Sequence, residues 1–388
     1  MPHPPRDQGL LKKLLAPVLT LAVSLILSLA TAEILVRVAR PQPRLVIEPG
    51  GFYMPDPPGP YRLSPGYRGR IYNRAEYSNE IRINEAGLRG SEIGPPSEEI
   101  LRVLIVGDSF VFGVGVEDSE TFTALLPKNL ARMGFAAEGL NAGIPAFGVP
   151  DAESWFRRHG ADLDPDMVVL AIFLGNDLVD ASPDREEILL VDGLLVPSQS
   201  SGGLKAWFHR RSHLFVAIKS LLEQPGFQPL RARLGLGEPW TTRALREELG
   251  VYKQSAEQDL RAAIDATDEA LGGFVDLSEE LGFNLVAVLI PSEIQLEPER
   301  WQTSLASLGL DPADYDPSTP TRIFQELLDR HEIPTLDLGP PFVSGLSRGE
   351  ELYFRLDRHW TRAGHALAAD ELARFLTLRL QSGETQDL

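Results

Sequence analysis

Short, fully apolar runs recur along this chain and are separated by stretches with helical spacing. Val103-Leu104-Ile105-Val106 is closed by Gly107, and Phe122, Leu125, Leu126 and Leu130 then repeat at the period of a helix. An apolar stretch ends at Leu140-Asn141, a helix is expected from about Ala152 to His159, and Met167 to Phe173 forms a second buried-strand run. A helical pattern from about Ser255 to Leu281 leads into a third run, Asn284 to Ile290, stopped by Pro291. A helix over Thr321 to His331, a short strand over Thr335 to Leu338 and a helix over Thr361 to Leu378 close the series. Strands that are apolar throughout must be covered on both faces, and helices between them make the sheet parallel. The pattern therefore predicts an open three-layer α/β/α fold over residues 101–388. Between about 178 and 255 the alternation lapses into the polar stretch 198–203, the aromatic and basic cluster 207–213 and helical fragments. This reads as a helical insertion, either a lid over the sheet edge or a cap that touches substrate. The 207–213 cluster also has the composition of a lipid-headgroup contact.

Leu14 to Ala32 is a run of 19 residues without a charge, bracketed by Lys12, Lys13 and Glu33. At about 1.5 Å per residue it is long enough for the roughly 30 Å hydrocarbon core of a bilayer. Ala30-Thr31-Ala32 has the form of a signal-peptidase site, but the apolar stretch is long for a signal peptide and continues into Ile34-Leu35-Val36. Residues 1–40 are thus read as an uncleaved membrane anchor in preference to a signal peptide. A short tail before a long domain implies a single pass with the N-terminus inside and the long domain outside the cytoplasm. Eight prolines between Pro41 and Gly66 exclude a helix or a central strand there. Residues 41–100 are expected to be a Pro-rich linker and extended arm, with a short strand and turn between Ile71 and Arg89 lying on the main domain.

The absence of cysteine among 388 residues excludes a disulfide scaffold, a thiolate zinc site, an iron–sulfur cluster and a cysteine nucleophile. A formal net charge of −18 argues against nucleic acid as a partner. Residues 1–40 hold five basic and two acidic side chains, so the acidity belongs to the rest of the chain. No Gly-Lys-Ser/Thr or complete G-x-G-x-x-G is present for phosphates. Neither a cofactor nor a metal is expected: His365 lies six residues after His359, which is not the spacing of paired helical ligands, and it reads as a packing or capping residue of the last helix.

In an open parallel sheet, ligands bind outside the carboxyl ends of the strands. The residues that follow the apolar runs are Gly107-Asp108-Ser109-Phe110, the loop from Asn141 to Gly148, and Gly175-Asn176-Asp177; the segment Asp357-Arg358-His359-Trp360 precedes the last helix. Together they supply the parts for acyl transfer. A serine hydroxyl needs a base to take its proton, a role an imidazole fills near neutral pH, and a carboxylate orients that imidazole. The candidates are Ser109, His359 and Asp357. An oxyanion needs preorganised donors, for which the Asn176 amide, the Ser109 N–H and an N–H of the 143–146 loop are available. Asp108 and Asp177 read as turn and N-cap residues, and Trp360 as a packing residue behind His359 with a sugar-stacking platform as its alternative.

These four blocks resemble those of the SGNH (GDSL-type) hydrolase superfamily. The likeness extends to its membrane-anchored bacterial members and its alginate O-acetyltransferase-like branch, which share an N-terminal span, an Asn-x-x-Gly-x-Arg arm like Asn84 to Arg89, and an Asp-x-His-Trp signature. The resemblance implies a flavodoxin-like SGNH fold with Ser109 as nucleophile, His359 as base, Asp357 as its orienter, and Asn176, Ala146 and Ser109 as oxyanion donors. Ala146 stands where the family has glycine, Leu174 stands at the first glycine of Gly-x-Asn-Asp, and the dyad is Asp-x-His, as in the acetyltransferase-like branch. The function so implied is a serine ester hydrolase acting on acylated envelope carbohydrate or a lipid ester. O-acetyl transfer involving a polysaccharide hydroxyl, with envelope acyl-transfer proteins as partners, is its alternative, and a non-catalytic envelope binding protein is a second.

Overall fold

The first described element is helix α1 (Gln8–Ala39) in the computed structural model, which describes residues 8–39, 46–73, 76–183, 185, 188–191, 193–197, 212–223, 227 and 240–382. Five short strands follow, β1 (Val46–Glu48), β2 (Tyr53–Asp56), β3 (Gly59–Leu63), β4 (Arg68–Tyr72) and β5 (Ser78–Arg82). Next come β6 (Leu101–Gly107), α2 (Ser109–Phe112), α3 (Phe122–Arg132), β7 (Ala137–Gly143), α4 (Val149–Trp155), β8 (Met167–Phe173) and α5 (Asp177–Asp180). The segment 178–255 contains β9 (Ile188–Val191), β10 (Leu194–Pro197), α6 (His213–Glu223) and α7 (Trp240–Gly250). The remainder is α8 (Ala256–Asp259), α9 (Arg261–Leu281), β11 (Asn284–Ile290), α10 (Glu293–Leu296), α11 (Pro298–Ser307), α12 (Thr319–Arg330), β12 (Thr335–Asp337), α13 (Gly339–Ser347) and α14 (Arg362–Ser382). The chain forms two compact units, residues 1–44 with 200–237, and residues 45–199 with 238–388.

The larger unit is built on a five-stranded sheet in the order β12-β11-β8-β6-β7, parallel throughout. Side chains alternate across it. Leu104, Val106, Val168, Leu170 and Ile172 point into one apolar layer with Trp155 of α4 and Leu271 and Phe274 of α9. Val103, Ile105, Val169 and Ala171 point into the other, with Leu126 and Leu130 of α3 and Leu372 and Leu376 of α14. This is the expected three-layer α/β/α arrangement, and it aligns the carboxyl ends of β6, β7, β8 and β11 along one edge.

Two sequence expectations change. The Pro-rich stretch is not only a linker: Phe52, Tyr53, Tyr61, Leu63 and Tyr67 are buried in the same layer as Leu104 and Val168. Its prolines, Pro55 in β2 and Pro60 in β3, are compatible with strands because among the described residues β2 and β3 form a ladder only with each other, so each has an edge where a missing N–H costs nothing. The insertion is not purely helical either, since β9 and β10 form an antiparallel hairpin whose turn, at Gly193, accepts a hydrogen bond from Tyr53 N at 3.1 Å. Residues 198–211, with Trp207, Phe208, His209, Arg210 and Arg211, lie outside the described residues. In the smaller unit, Pro17–Ala39 of α1 is long and apolar enough to cross a membrane, with mean hydropathy 2.2 and no part buried.

Candidate active site

Ser109 opens α2 directly after β6. Asp108 caps that helix by accepting from Phe110 N at 2.8 Å. The helix presses on β7: a Cβ at Gly143 would lie 2.0 Å from Phe112 N, so only glycine lets the Ser109 helix seat there. The far end of α2 is held from the arm. Arg89, buried to 4% exposure, donates to the carbonyls of Phe112, Gly113 and Val116 at 2.6 Å each and pairs with Asp118 at 2.8 Å. Asn84 presents it, folding the 84–89 turn by accepting from Ala86 N and Leu88 N through its side chain.

His359 arrives from the opposite end of the chain. Phe354 N donates to His359 O at 2.8 Å, closing a loop that Trp360, fully buried against Phe110, Phe122 and Phe342, fixes to the core. Burial excludes the sugar-platform alternative for Trp360. His359 Nε2 stands 2.7 Å from Ser109 Oγ, and its Nδ1 is hydrogen-bonded to Asp357 Oδ1. A carboxylate only accepts, so Nδ1 carries the proton and Nε2 is left to accept from the serine hydroxyl. Burial pushes the Asp357 carboxyl up, but the hydrogen bonds from His359 and Tyr77 outweigh it and hold the group below its ordinary value.

Two further residues at this site escape a motif reading. Tyr77 OH donates to Asp357 Oδ2 at 2.6 Å, and the Glu76 carboxylate accepts from Leu356 N at 2.8 Å and Asp357 N at 2.9 Å. Both belong to the arm. A signal existed for Tyr77: it has the same parity as Asn79, Ile81 and Ile83, the inward face of an alternating strand, and a buried tyrosine needs a partner for its hydroxyl.

The loop after β7 carries Ala146 with φ +65°, the left-handed conformation that explains why glycine is the family's choice there. Tyr61 OH, again from the arm, donates to Pro145 O at 3.0 Å and fixes this turn. Asn176 follows β8 on the same edge. One N–H of its amide donates to Asp180 Oδ2 at 2.8 Å, which orients the group. Burial raises Asp180 to about 7 and Asp108 to about 6, and raises Asp177 well above the usual range. Asp177 accepts from Phe173 N at 2.9 Å, tying the turn to its strand as a turn residue should.

Arg358, between the dyad members at φ +69°, pairs with Glu248 of α7, and Glu248 also accepts from Ser292 Oγ at 2.7 Å. The end of the insertion thus braces the Asp-x-His loop. His365 is buried and accepts from Phe122 N at 3.2 Å, so it caps α3 instead of its own helix. Burial lowers it to about 3, keeping it a neutral acceptor. Among the described residues no group of His, Asp and Glu is arranged to hold a metal.

A serine at the start of the helix after the first core strand, an Asp-x-His pair before the last helix and a parallel five-stranded sheet between them are the arrangement that the resemblance to SGNH hydrolases implies. Residues 250–388 match the family described as "SGNH hydrolase-like domain, acetyltransferase AlgX", so the resemblance read from the four blocks holds on its AlgX-like side. No curated protein matches the chain. Among solved structures, the acetyl xylan esterase AlAXEase is similar at 14% identity, over 70% of this chain and 98% of that one, with TM-score 0.38. A lipase/acylhydrolase from Enterococcus faecalis is similar at 16% identity, over 72% and 97%, with TM-score 0.37. A catalytic mutant of an acetylxylan esterase from Geobacillus stearothermophilus is similar at 13% identity, over 73% and 96%, with TM-score 0.38.

Proposed function

We propose that the protein is a membrane-anchored serine enzyme that cleaves esters of acylated envelope carbohydrate or lipid outside the cytoplasm, through an acyl-enzyme on Ser109. What carries the reading is the hydrogen-bonded chain from Ser109 Oγ through His359 to Asp357. In acylation, Ser109 Oγ attacks the ester carbonyl as His359 Nε2 takes its proton; Asp357 stabilises the imidazolium that forms. The carbonyl oxygen becomes an oxyanion, received by N–H groups of Ser109, Ala146 and Asn176. Collapse of the intermediate breaks the bond to the alcohol oxygen, which leaves with the proton from His359. Water then repeats the sequence, releasing the acid and restoring Ser109.

A second reading is favoured by the match to an acetyltransferase family: a sugar hydroxyl in place of water, which moves the acetyl group onto a polysaccharide. The two share acylation and part only at deacylation. The full chain in detergent, incubated with a short acyl ester, should release acid and carry an acyl mass increment on Ser109 when quenched. Ser109→Ala should abolish both. Acid release identical in parent and variant, with no adduct on Ser109, would sink the proposal. Adding an oligosaccharide acceptor separates the two readings: hydrolysis leaves it unmodified, whereas transfer yields acylated sugar at the expense of free acid.

A further inference from the structure

The smaller unit contains a second apolar helix beside the spanning one. The Glu33 carboxylate, the first charge after the apolar run of α1, receives the start of α6: Ser212 Oγ donates at 2.7 Å, His213 N at 2.9 Å and Leu214 N at 2.8 Å, while Arg37 donates from one turn further along α1 at 2.6 Å. Ser212 Oγ in turn accepts from Phe215 N at 2.9 Å, an N-cap. A carboxylate facing hydrocarbon is expensive; three donors at the positive end of a helix, with an arginine, offset that cost. The N-terminus of α6 is therefore fixed at the depth where the uncharged run of α1 ends, the boundary between hydrocarbon and water.

The face that α6 leaves uncovered is apolar. His213 and Val216 are buried, whereas Ile218 is 47% and Leu221 45% exposed, with Leu214 and Leu222 half-buried. Leu214, Ile218, Leu221 and Leu222 stand at i, i+4, i+7 and i+8, one continuous stripe, and Lys219 lies off it. The lipid-facing surface of α1, with Leu25, Ile26, Leu29 and Ile34 exposed, belongs to the same unit. Eleven residues make about 16 Å of helix, too short to span a core of roughly 30 Å.

We propose that α6 is an interfacial helix that lies in the plane of the bilayer at the level of Glu33, with its Leu214, Ile218, Leu221 and Leu222 stripe seated among the acyl chains. The inference rests on the anchor reading of α1. It makes the protein's hold on the membrane bipartite, a span clamped to an in-plane helix, with Glu33 as the clamp.

The absence of cysteine makes the test clean. The full chain is reconstituted into vesicles of phosphatidylethanolamine and phosphatidylglycerol as single variants Leu25→Cys, Ile218→Cys, Leu221→Cys and Lys219→Cys, each carrying an environment-sensitive fluorophore. Labels at 25, 218 and 221 should show blue-shifted emission quenched by doxyl lipids, deep in the chain for 25 and shallow for 218 and 221, while the label at 219 stays red-shifted. Adding Glu33→Ala should return the 218 and 221 labels to aqueous emission without altering 25. If 25 is quenched but 218 and 221 report water, the interfacial helix is wrong and the anchor stands. If 218 and 221 are blue-shifted yet unquenched by lipid, another copy of the chain covers the stripe and the lipid assignment is overturned. If 25 itself is in water, the anchor reading fails and takes the proposal with it.

Discussion

Tyr77→Phe removes one oxygen atom and nothing else from the site. The ring packs 5.1 Å from Phe354, a contact phenylalanine keeps, so the fold should be unaffected. What disappears is the hydrogen bond to Asp357 Oδ2 at 2.6 Å. Hydrogen bonds to charged groups contribute about 1.5–3 kcal/mol, and at about 1.4 kcal/mol per decade the ceiling on the rate effect is roughly 10- to 100-fold. Asp357 keeps its bond to His359, and Glu76 keeps its backbone in place, so the lower end is expected: kcat falls about tenfold with KM little changed. A variant whose kcat/KM for p-nitrophenyl acetate stays within roughly twofold of the parent would refute the claim that the arm positions the dyad.

Three other changes probe the supports. Arg89→Met leaves three carbonyls and Asp118 without their buried partner, and should lower unfolding stability by about 3–5 kcal/mol in a urea titration. Ala146→Gly relieves a left-handed alanine that costs roughly 1–2 kcal/mol, offset in part by about 0.4–1 kcal/mol from the freer unfolded chain, so the urea midpoint should rise slightly. His365 is neutral in the fold with its value lowered to about 3, while the unfolded chain binds a proton below about 6.5. Its contribution is present above pH 6.5 and is lost as pH falls towards 3, at up to about 1.4 kcal/mol per unit. His365→Gln should flatten the fall in stability between pH 7 and 5, and an identical slope in parent and variant would count against a buried neutral histidine.

The sheet was legible because Val103–Val106, Met167–Phe173 and Asn284–Ile290 are apolar on both faces, a pattern few other environments tolerate. Ser109, Asn176, Asp357 and His359 were legible because each stands immediately beside such a run or before the last helix. The arm was not. Its strands are three to five residues long, its aromatics follow no sustained period, and proline density argues for a linker when strand edges are not yet known. Glu76 and the partner of Tyr77 stayed hidden for a different reason: strand parity marks Tyr77 as inward, but the groups both residues bind lie about 280 residues away, and no local pattern encodes so distant a hydrogen bond. Ala146 was visible as a departure from glycine, but its conformation required the backbone.

Ser109 and His359 are separated by 250 residues, and the Asp357 hydroxyl donor, Tyr77, precedes both. In the proposed mechanism the nucleophile is therefore synthesised long before its base. Any nascent or truncated chain ending before residue 357 would have Ser109 without His359 or Asp357, so the proposal makes its reactivity a property that arrives with the last part of the chain. A serine-directed probe would then report completion of folding as directly as it reports catalysis.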